Sequence, residues 1–231
     1  MPLMGSATMI AMYDVQSGWI AKHDDWHSHE HMEERVSIPG FLRGRRYVAL
    51  TGAPRYFVLY EADTVASLVG DAYLDRLNSP TPWSSKTMPN MTNMMRTICT
   101  VSLSAGLGVG GSMAYVPMRI PANAQVPVRD HLRATFEALA NRPPLVGLHL
   151  VEGDGQASRI ETKEKSLRGT PDAVADWLLL AEGYDDVGGV FDSGPLSPSE
   201  LGSLGAEAVG PVSTYTLTAL VSKEDVSVAT D

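Results

Sequence analysis

The alternation of hydrophobic and polar positions changes period several times along the 231-residue chain, and each change marks an element. Met9–Val15 (MIAMYDV) is a short apolar run that reads as a strand. Lys22–Val36 follows the helical period, and Pro39-Gly40 ends it. Phe41–Leu50 and Tyr56–Glu61 read as two strands around the turn Thr51-Gly52-Ala53-Pro54, which makes them a predicted hairpin. Thr64 caps a second predicted helix that runs to about Leu77, with Val65, Leu68, Val69 and Ala72 on one face. Asn78–Asn93 holds three prolines and several methionines and reads as irregular. Arg96–Ser104 is rich in β-branched residues and reads as a strand. The order is β-α-β-β-α-β.

The second half repeats that order more loosely. Ser112–Pro117 reads as a strand, and Val128–Ala140 as an amphipathic helix with Val128, Leu132, Phe136 and Leu139 on one face. Leu145–Glu152 and Ser158–Lys165 form the expected hairpin. Thr170 and Pro171 open a predicted helix that turns Val174, Trp177, Leu178 and Ala181 inward and stops at Gly183. Gly188–Gly210 reads as loop, and Val212–Val221 as the last strand. The expected fold class is α+β: two tandem ferredoxin-like plaits, residues 1–106 and 112–231, joined by a glycine-rich hinge at 107–111. A single plait leaves one sheet face bare, so two in one chain are expected to pack sheet to sheet as an internal α+β barrel.

Composition narrows the function classes. Hydrophobic residues make up 44% and charged residues 19%, a balance that supports a packed core. The net charge is -9 and no Lys/Arg run stands out, so nucleic acid is not an expected partner. Cys99 is the single cysteine, which precludes an intrachain disulfide and fits a reducing compartment. No apolar run approaches the roughly 18 residues of a membrane span. The N-terminus has no basic n-region and runs into a predicted strand, so it is not read as a signal peptide. The expected location is the cytoplasm, with no membrane partner.

The chemistry concentrates in WHSHEHMEER, Trp26 to Arg35. On a helix, Ala21, Met32 and Val36 share one side, while His23, Trp26, His27, Glu30, His31 and Glu34 spread over the other; His29 falls away from that group. Three readings are open. The second side is a solvated face. Alternatively, His27 and His31, at i and i+4 within an HxxEH pattern, are two zinc ligands that need a third from elsewhere. In the third, His31 enters a pocket as an acid/base group with Glu30 or Glu34 beside it, and no metal or organic cofactor is called for.

The stretch Asp25-Trp26-x-x-x-Glu30-His31-x-x-Glu34-Arg35, followed by Ile38-Pro39-Gly40-Phe41-x-Arg43-x-Arg45-Arg46-Tyr47, resembles the EthD-like branch of the dimeric α+β barrel superfamily. Tyr56-x-x-Leu59-Tyr60-Glu61 and Asn78-x-Pro80-Thr81-Pro82-Trp83 are similar to the family's next strand and to its loop after the second helix. The resemblance covers about residues 9–100. It implies a plait with a pocket between sheet and helices, and it points to His31 with Glu30 beside it. It does not imply one reaction, since such families include lyases, isomerases, cyclases and cofactor-free monooxygenases.

The expected function is therefore a cofactor-independent lyase or isomerase acting on a small apolar molecule, aromatic or terpenoid. A non-catalytic ligand-binding or assembly protein and a cofactor-free monooxygenase are the alternatives. His31, Glu30 and Glu34 are the candidate catalytic residues, and Trp26, Arg43, Tyr60 and Trp83 the candidate substrate contacts. Arg43 and Arg45 should point to one face of their strand and Arg46 to the other. Gly106–Gly111 looks superficially like a nucleotide loop, but the strand expected after it supplies no helix N-terminus for phosphate. The partner is a small molecule, and a homodimer is compatible with the fold.

Overall fold

A computed structural model describes residues 3–227. Its core is a closed antiparallel barrel of eight strands. In chain order they are β1 (Ala7–Val15), β2 (Phe41–Thr51), β3 (Tyr56–Ala62), β4 (Met91–Gly106), β5 (Ser112–Arg119), β6 (Leu145–Gly153) and β7 (Trp177–Gly183). A two-residue strand β8 (Glu207–Ala208) pairs outside the barrel on β5, and β9 (Ser213–Ser222) completes the ring. The order around the barrel is β7-β6-β4-β1-β3-β2-β9-β5, closed by β5 against β7. Each half of the chain thus gives four adjacent strands, and β2–β9 and β4–β6 are the two seams. Closure removes the exposed edges that an open sheet would present.

Alternation sorts the strand side chains to two sides. Ile10, Met12, Tyr47, Phe57, Leu59, Met113, Leu178 and Leu180 fill the barrel interior, with Cys99 among them. One region of that interior is charged: Arg45 Nη1 donates to Glu182 (2.8 Å) and to Tyr47 Oη (2.8 Å), and Arg43 pairs with Glu61. The outward side chains of the first half, including Met9, Ala11, Tyr13, Val58 and Tyr60, meet helices. Those of the second half meet the helix Gln125–Leu139.

The first helical segment is continuous from Ile20 to Val36 but not uniform: α1 (Ile20–Trp26), one π-helical turn over His27–His31, and α2 (Met32–Val36). The region Thr64–Leu77 is not one helix. A 3-10 turn, Val65–Leu68, breaks at Gly70, and α3 (Asp71–Asn78) starts anew. Inside the stretch read as irregular, Thr81 caps α4 (Pro82–Thr87), accepting from Ser84 N at 2.9 Å.

The larger corrections lie in the second half. α5 (Gln125–Leu139) forms as expected, but Ser158–Lys165 is not a strand. Asp154 caps α6 (Gly155–Ser158) and Thr162 caps α7 (Lys163–Leu167), so local capping overrides the weak alternation there. The expected helix at 170–183 is instead β7. Every residue of Trp177–Gly183 is buried, because this strand has the barrel core on one side and α5 on the other. A strand covered on both faces reads as a continuous apolar run, which periodicity cannot tell from a buried helix. The segment 188–210 also carries a short α8 (Pro198–Ser203), and α9 (Lys223–Ser227) follows β9.

Candidate functional site

The first helix lies over the outer faces of β1 and β3, and its polar side is turned toward the sheet. His23, Trp26 and His27 are buried, and His31 is nearly so. The π turn explains the alignment. An α-helix drifts sideways over successive four-residue steps, and one wider i→i+5 turn offsets that drift. The imidazoles of His23, His27 and His31 consequently form a ladder, with ring centroids 5.4 Å apart at each step. His29 points away and is solvent-exposed beside Asp25.

His27 and His31 of this ladder border a small cavity of about 50 Å3. The helix wall contributes His27, His31 and Arg35, and the sheet wall contributes Met9, Ala11, Tyr13, Val58 and Tyr60. Met88, Met91 and Met94 form a flexible apolar side. Tyr73 from α3 and Arg96 from β4 close another, with Arg96 Nη2 donating to Tyr73 Oη at 3.1 Å. The last part comes from the other half of the chain: the β6–β7 connection brings in Glu164 and Arg168. Glu164 accepts from the buried guanidinium of Arg35. Met91, Met94 and Arg168 also line an outer groove of about 550 Å3, so these three side chains separate the cavity from open space.

Two backbone features shape this wall. Gly44 in β2 lies under the Tyr60 ring; a Cβ there would sit 2.8 Å from Tyr60 Cε1. Opposite Tyr13, β4 carries one extra residue, with Asn93 at φ 53° and its amide donating to Asp14 (3.0 Å). Bulges of this kind re-aim neighbouring side chains, here Met91 and Met94.

Burial controls the ionisation of the site. His27 and His31 are held well below the ordinary histidine range, chiefly by desolvation and then by nearby positive groups: the other histidines for His27, Arg35 for His31. His23 is lowered by burial as well, with Asp24 working in the opposite direction. Glu164 is raised by burial, against the pull of Arg35. Tyr13 is pushed far above its usual value, again by burial. Two buried polar atoms of cavity-lining residues, His27 Nδ1 and Tyr60 Oη, lack a hydrogen-bond partner among the described residues, while His31 Nδ1 and Arg35 Nη1 both face Glu34 Oε2 at ion-pair distances of 3.5 and 3.6 Å. Buried polar atoms are nearly always satisfied, so His27 Nδ1 and Tyr60 Oη are the open hydrogen-bonding positions of this wall.

The candidate residues separate clearly. His31 and Tyr60 line the cavity. Glu34 stands beside His31, Oε2 to Nδ1 at 3.5 Å, and also contacts Arg76 and Arg35. Glu30 is engaged elsewhere: its Oε1 accepts from Trp26 Nε1 (3.1 Å), Thr81 Oγ1 (2.6 Å) and Ser84 Oγ (3.3 Å), tying the helix to the cap of α4. Trp26 sits behind His31, ring centroids 4.3 Å apart, and is fully buried. Trp83 packs at the margin of the same core and is not a lining residue. Arg43 alternates with Arg45 and Tyr47 onto the barrel interior, where it meets Glu61, while the register shift after Phe41 leaves Phe41 in the outer core. Arg45 shares that interior, whereas Arg46 lies outside near Asp24. Among the described residues no group of three His, Cys, Asp or Glu side chains is arranged to hold a metal ion, so His27 and His31 have no third ligand there. The sequence reading did not single out Tyr13, Arg35, Tyr73, Arg96, Glu164 or Arg168.

No protein-family model and no curated protein matches this sequence. The fold does match solved structures. An anthrone oxidase-like protein superposes with a TM-score of 0.60 at 12% identity, over 95% of this chain and 94% of that one. A protein provisionally named a monooxygenase from Lactobacillus acidophilus gives 0.59 at 8% identity, over 95% and 97%. A protein from Fusobacterium nucleatum with the same provisional name gives 0.56 at 8%, over 96% of both. At such identities the likeness shows the fold, an α+β barrel. Among the described residues no helix is long and apolar enough to cross a membrane.

Proposed function

We propose that this chain is a cofactor-independent enzyme that takes a proton from an activated position of a small, largely apolar molecule, with His31 as the base. The observation that carries the reading is the pair of buried, neutral imidazoles, His27 and His31, facing a cavity with a methionine-lined apolar side and with the Arg35 and Arg96 guanidiniums on its wall. A neutral imidazole can accept a proton, and Glu34 at 3.5 Å would stabilise the imidazolium that results. When a C–H next to a carbonyl gives up its proton, the electron pair moves to the carbonyl oxygen. Arg35 and Arg96 are the cations in place to meet that enolate. Return of the proton to another carbon completes an isomerisation, and departure of a β-substituent completes an elimination.

A second outcome is favoured by the names of the similar structures. An enolate can reduce dioxygen directly, so that a CH2 group and O2 become a ketone and water with all electrons drawn from the substrate. Both outcomes share the first step. The cavity is about 50 Å3, a third of the roughly 150 Å3 that admits benzene in an engineered cavity. Binding therefore requires Met91, Met94 and Arg168 to open toward the outer groove. We read the fold as two ferredoxin-like plaits, 1–106 and 112–231, with the first allied to the EthD-like branch; the adjacency of four strands from each half supports this.

Anthrone, a tricyclic ketone with an acidic CH2, is the probe. Under nitrogen in D2O, the wild-type protein should accelerate deuterium entry at that carbon, and His31→Asn should lower the rate about 100-fold. Admitting oxygen then separates the outcomes by oxygen uptake. Equal deuteration by wild type and His31→Asn would refute the assignment.

A further inference from the structure

The cavity has a second proton-accepting arrangement, on the wall opposite the His31 helix face. Tyr13 lines the cavity from β1, and its hydroxyl lies 2.9 Å from His23 Nε2. His23 Nδ1 lies 3.1 Å from Asp24 Oδ1. That carboxylate oxygen also accepts from Tyr56 Oη at 2.7 Å, and the Asp24 side chain is 37% exposed. Tyr13, His23 and Tyr56 are buried. The simplest assignment of hydrogens has Tyr13 O–H donating to Nε2 and His23 Nδ1–H donating to Asp24.

We infer that Tyr13, His23 and Asp24 form a second base of this site, with Tyr13 touching the ligand and His23 holding the proton. The inference rests on the reading of the cavity as a proton-transfer site. In the step, a ligand C–H or O–H bond breaks and its proton goes to the Tyr13 oxygen. The Tyr13 hydroxyl proton moves to His23 Nε2, and the electron pair stays on the ligand. The product is a ligand anion and an imidazolium held between Tyr13 and the Asp24 carboxylate. Reversal of the same two hops delivers the proton to a different ligand atom, so no outside acid is needed. Tyr13 is the catalytic residue of this arm, and His23 and Asp24 are positioning residues.

The ladder fits this division. His27 lies between His23 and His31, and each step is short enough that a proton on one imidazole disfavours a proton on the next. Only His23 has a carboxylate and a hydroxyl on its two ring nitrogens. The charged and titratable groups around it are Asp24, Tyr13, Tyr56, His27, Arg46 and Arg55. Burial lowers all three ladder histidines, and His27 and His31 more than His23.

Two measurements test the inference. The first uses the ligand-free protein with 15N-labelled histidine. On acidification His23 should take up a proton before His27 and His31, at Nε2, from a starting form protonated at Nδ1. Asp24→Asn should move that event to lower pH. Protonation of His27 or His31 first, or a starting form protonated at Nε2, would overturn the inference whatever the protein does to anthrone. The second uses anaerobic deuteration of anthrone. Tyr13→Phe should lower kcat at least 10-fold with KM within twofold, and Asp24→Asn should shift the acid limb of the pH profile downward. An unchanged kcat in Tyr13→Phe would overturn it. Absence of anthrone deuteration by the wild type would count against the proton-abstraction reading of the cavity, while the histidine titration decides the second base by itself.

Discussion

Lowering the pH from 7.0 to 5.5 should destabilise this protein steeply, and the slope should come from the histidine ladder. His23, His27 and His31 are all lowered from the ordinary value of 6.5 by burial, so the folded state holds them neutral while the unfolded chain protonates them. The sign follows directly: their folded pKa values lie below the unfolded ones, so stability is complete above pH 6.5 and falls as pH drops below it. Each such group contributes a limiting slope of about 1.4 kcal/mol per pH unit. Integrated from pH 6.5 to 5.5, His27 and His31, which are held well below this window, lose about 1 kcal/mol each, and His23, lowered less because Asp24 opposes the shift, adds a smaller amount, a sizeable part of a typical domain's 5–15 kcal/mol. The buried carboxylate Glu182 does not blur this window. Burial opposes its charge, but Arg45 and His149 outweigh that and bring its pKa down to about 2, so its contribution is lost only below about pH 4.5. Urea unfolding followed by far-UV circular dichroism at half-unit pH steps measures the slope. His27→Asn, which removes one of the two dominant rungs, should flatten it by about a third to a half. A midpoint independent of pH between 7.0 and 5.5, or a slope unchanged in His27→Asn, would refute the claim that the ladder is buried and neutral.

Other perturbations separate the parts of the site. Glu164→Gln removes the buried partner of Arg35 and should cost about 3 kcal/mol in urea unfolding, since Glu34 at 3.6 Å is the remaining carboxylate; a cost under 0.5 kcal/mol would mean that the β6–β7 connection is not held there. Gly44→Ala puts a methyl 2.8 Å from the Tyr60 ring and should cost about 2 kcal/mol, with a changed near-UV spectrum; a neutral effect would place the ring elsewhere. Cys99 is buried in the barrel, and its thiol is pushed up to about 12 by burial, so Ellman's reagent should not react with the native protein at pH 8 and should react once urea unfolds it.

The strands of the first half were legible because each has a turn or a proline beside it, and MIAMYDV and YFVLYE carry the apolar content of strands facing two cores. The second half was less legible for the opposite reason. Trp177–Gly183 is apolar on both sides, and its flanking Thr170-Pro171 mimics a helix start. The first helix shows the same limit in another form. A regular helical wheel spreads His23, His27 and His31 over a broad face, whereas the π turn brings them into line. Glu30 was attractive because it adjoins His31 in sequence, but neighbours along a helix point apart, and Glu30 serves Trp26, Thr81 and Ser84. Glu164 and Arg168 reach the cavity from more than 120 residues beyond His31, carried there by a connection that closes the barrel's other half over the first. Their charge pattern within KEKSLR resembles any solvated helix.

The most direct test of the account is a crystal structure of the protein with anthrone, grown without oxygen. The ligand should lie between the helix and β1, with its CH2 carbon about 3–3.5 Å from a ring nitrogen of His31, its carbonyl oxygen toward Arg35 or Arg96, and Met91 and Met94 displaced toward the outer groove. Anthrone bound only on the outer surface, with the His31 cavity empty, would contradict this placement.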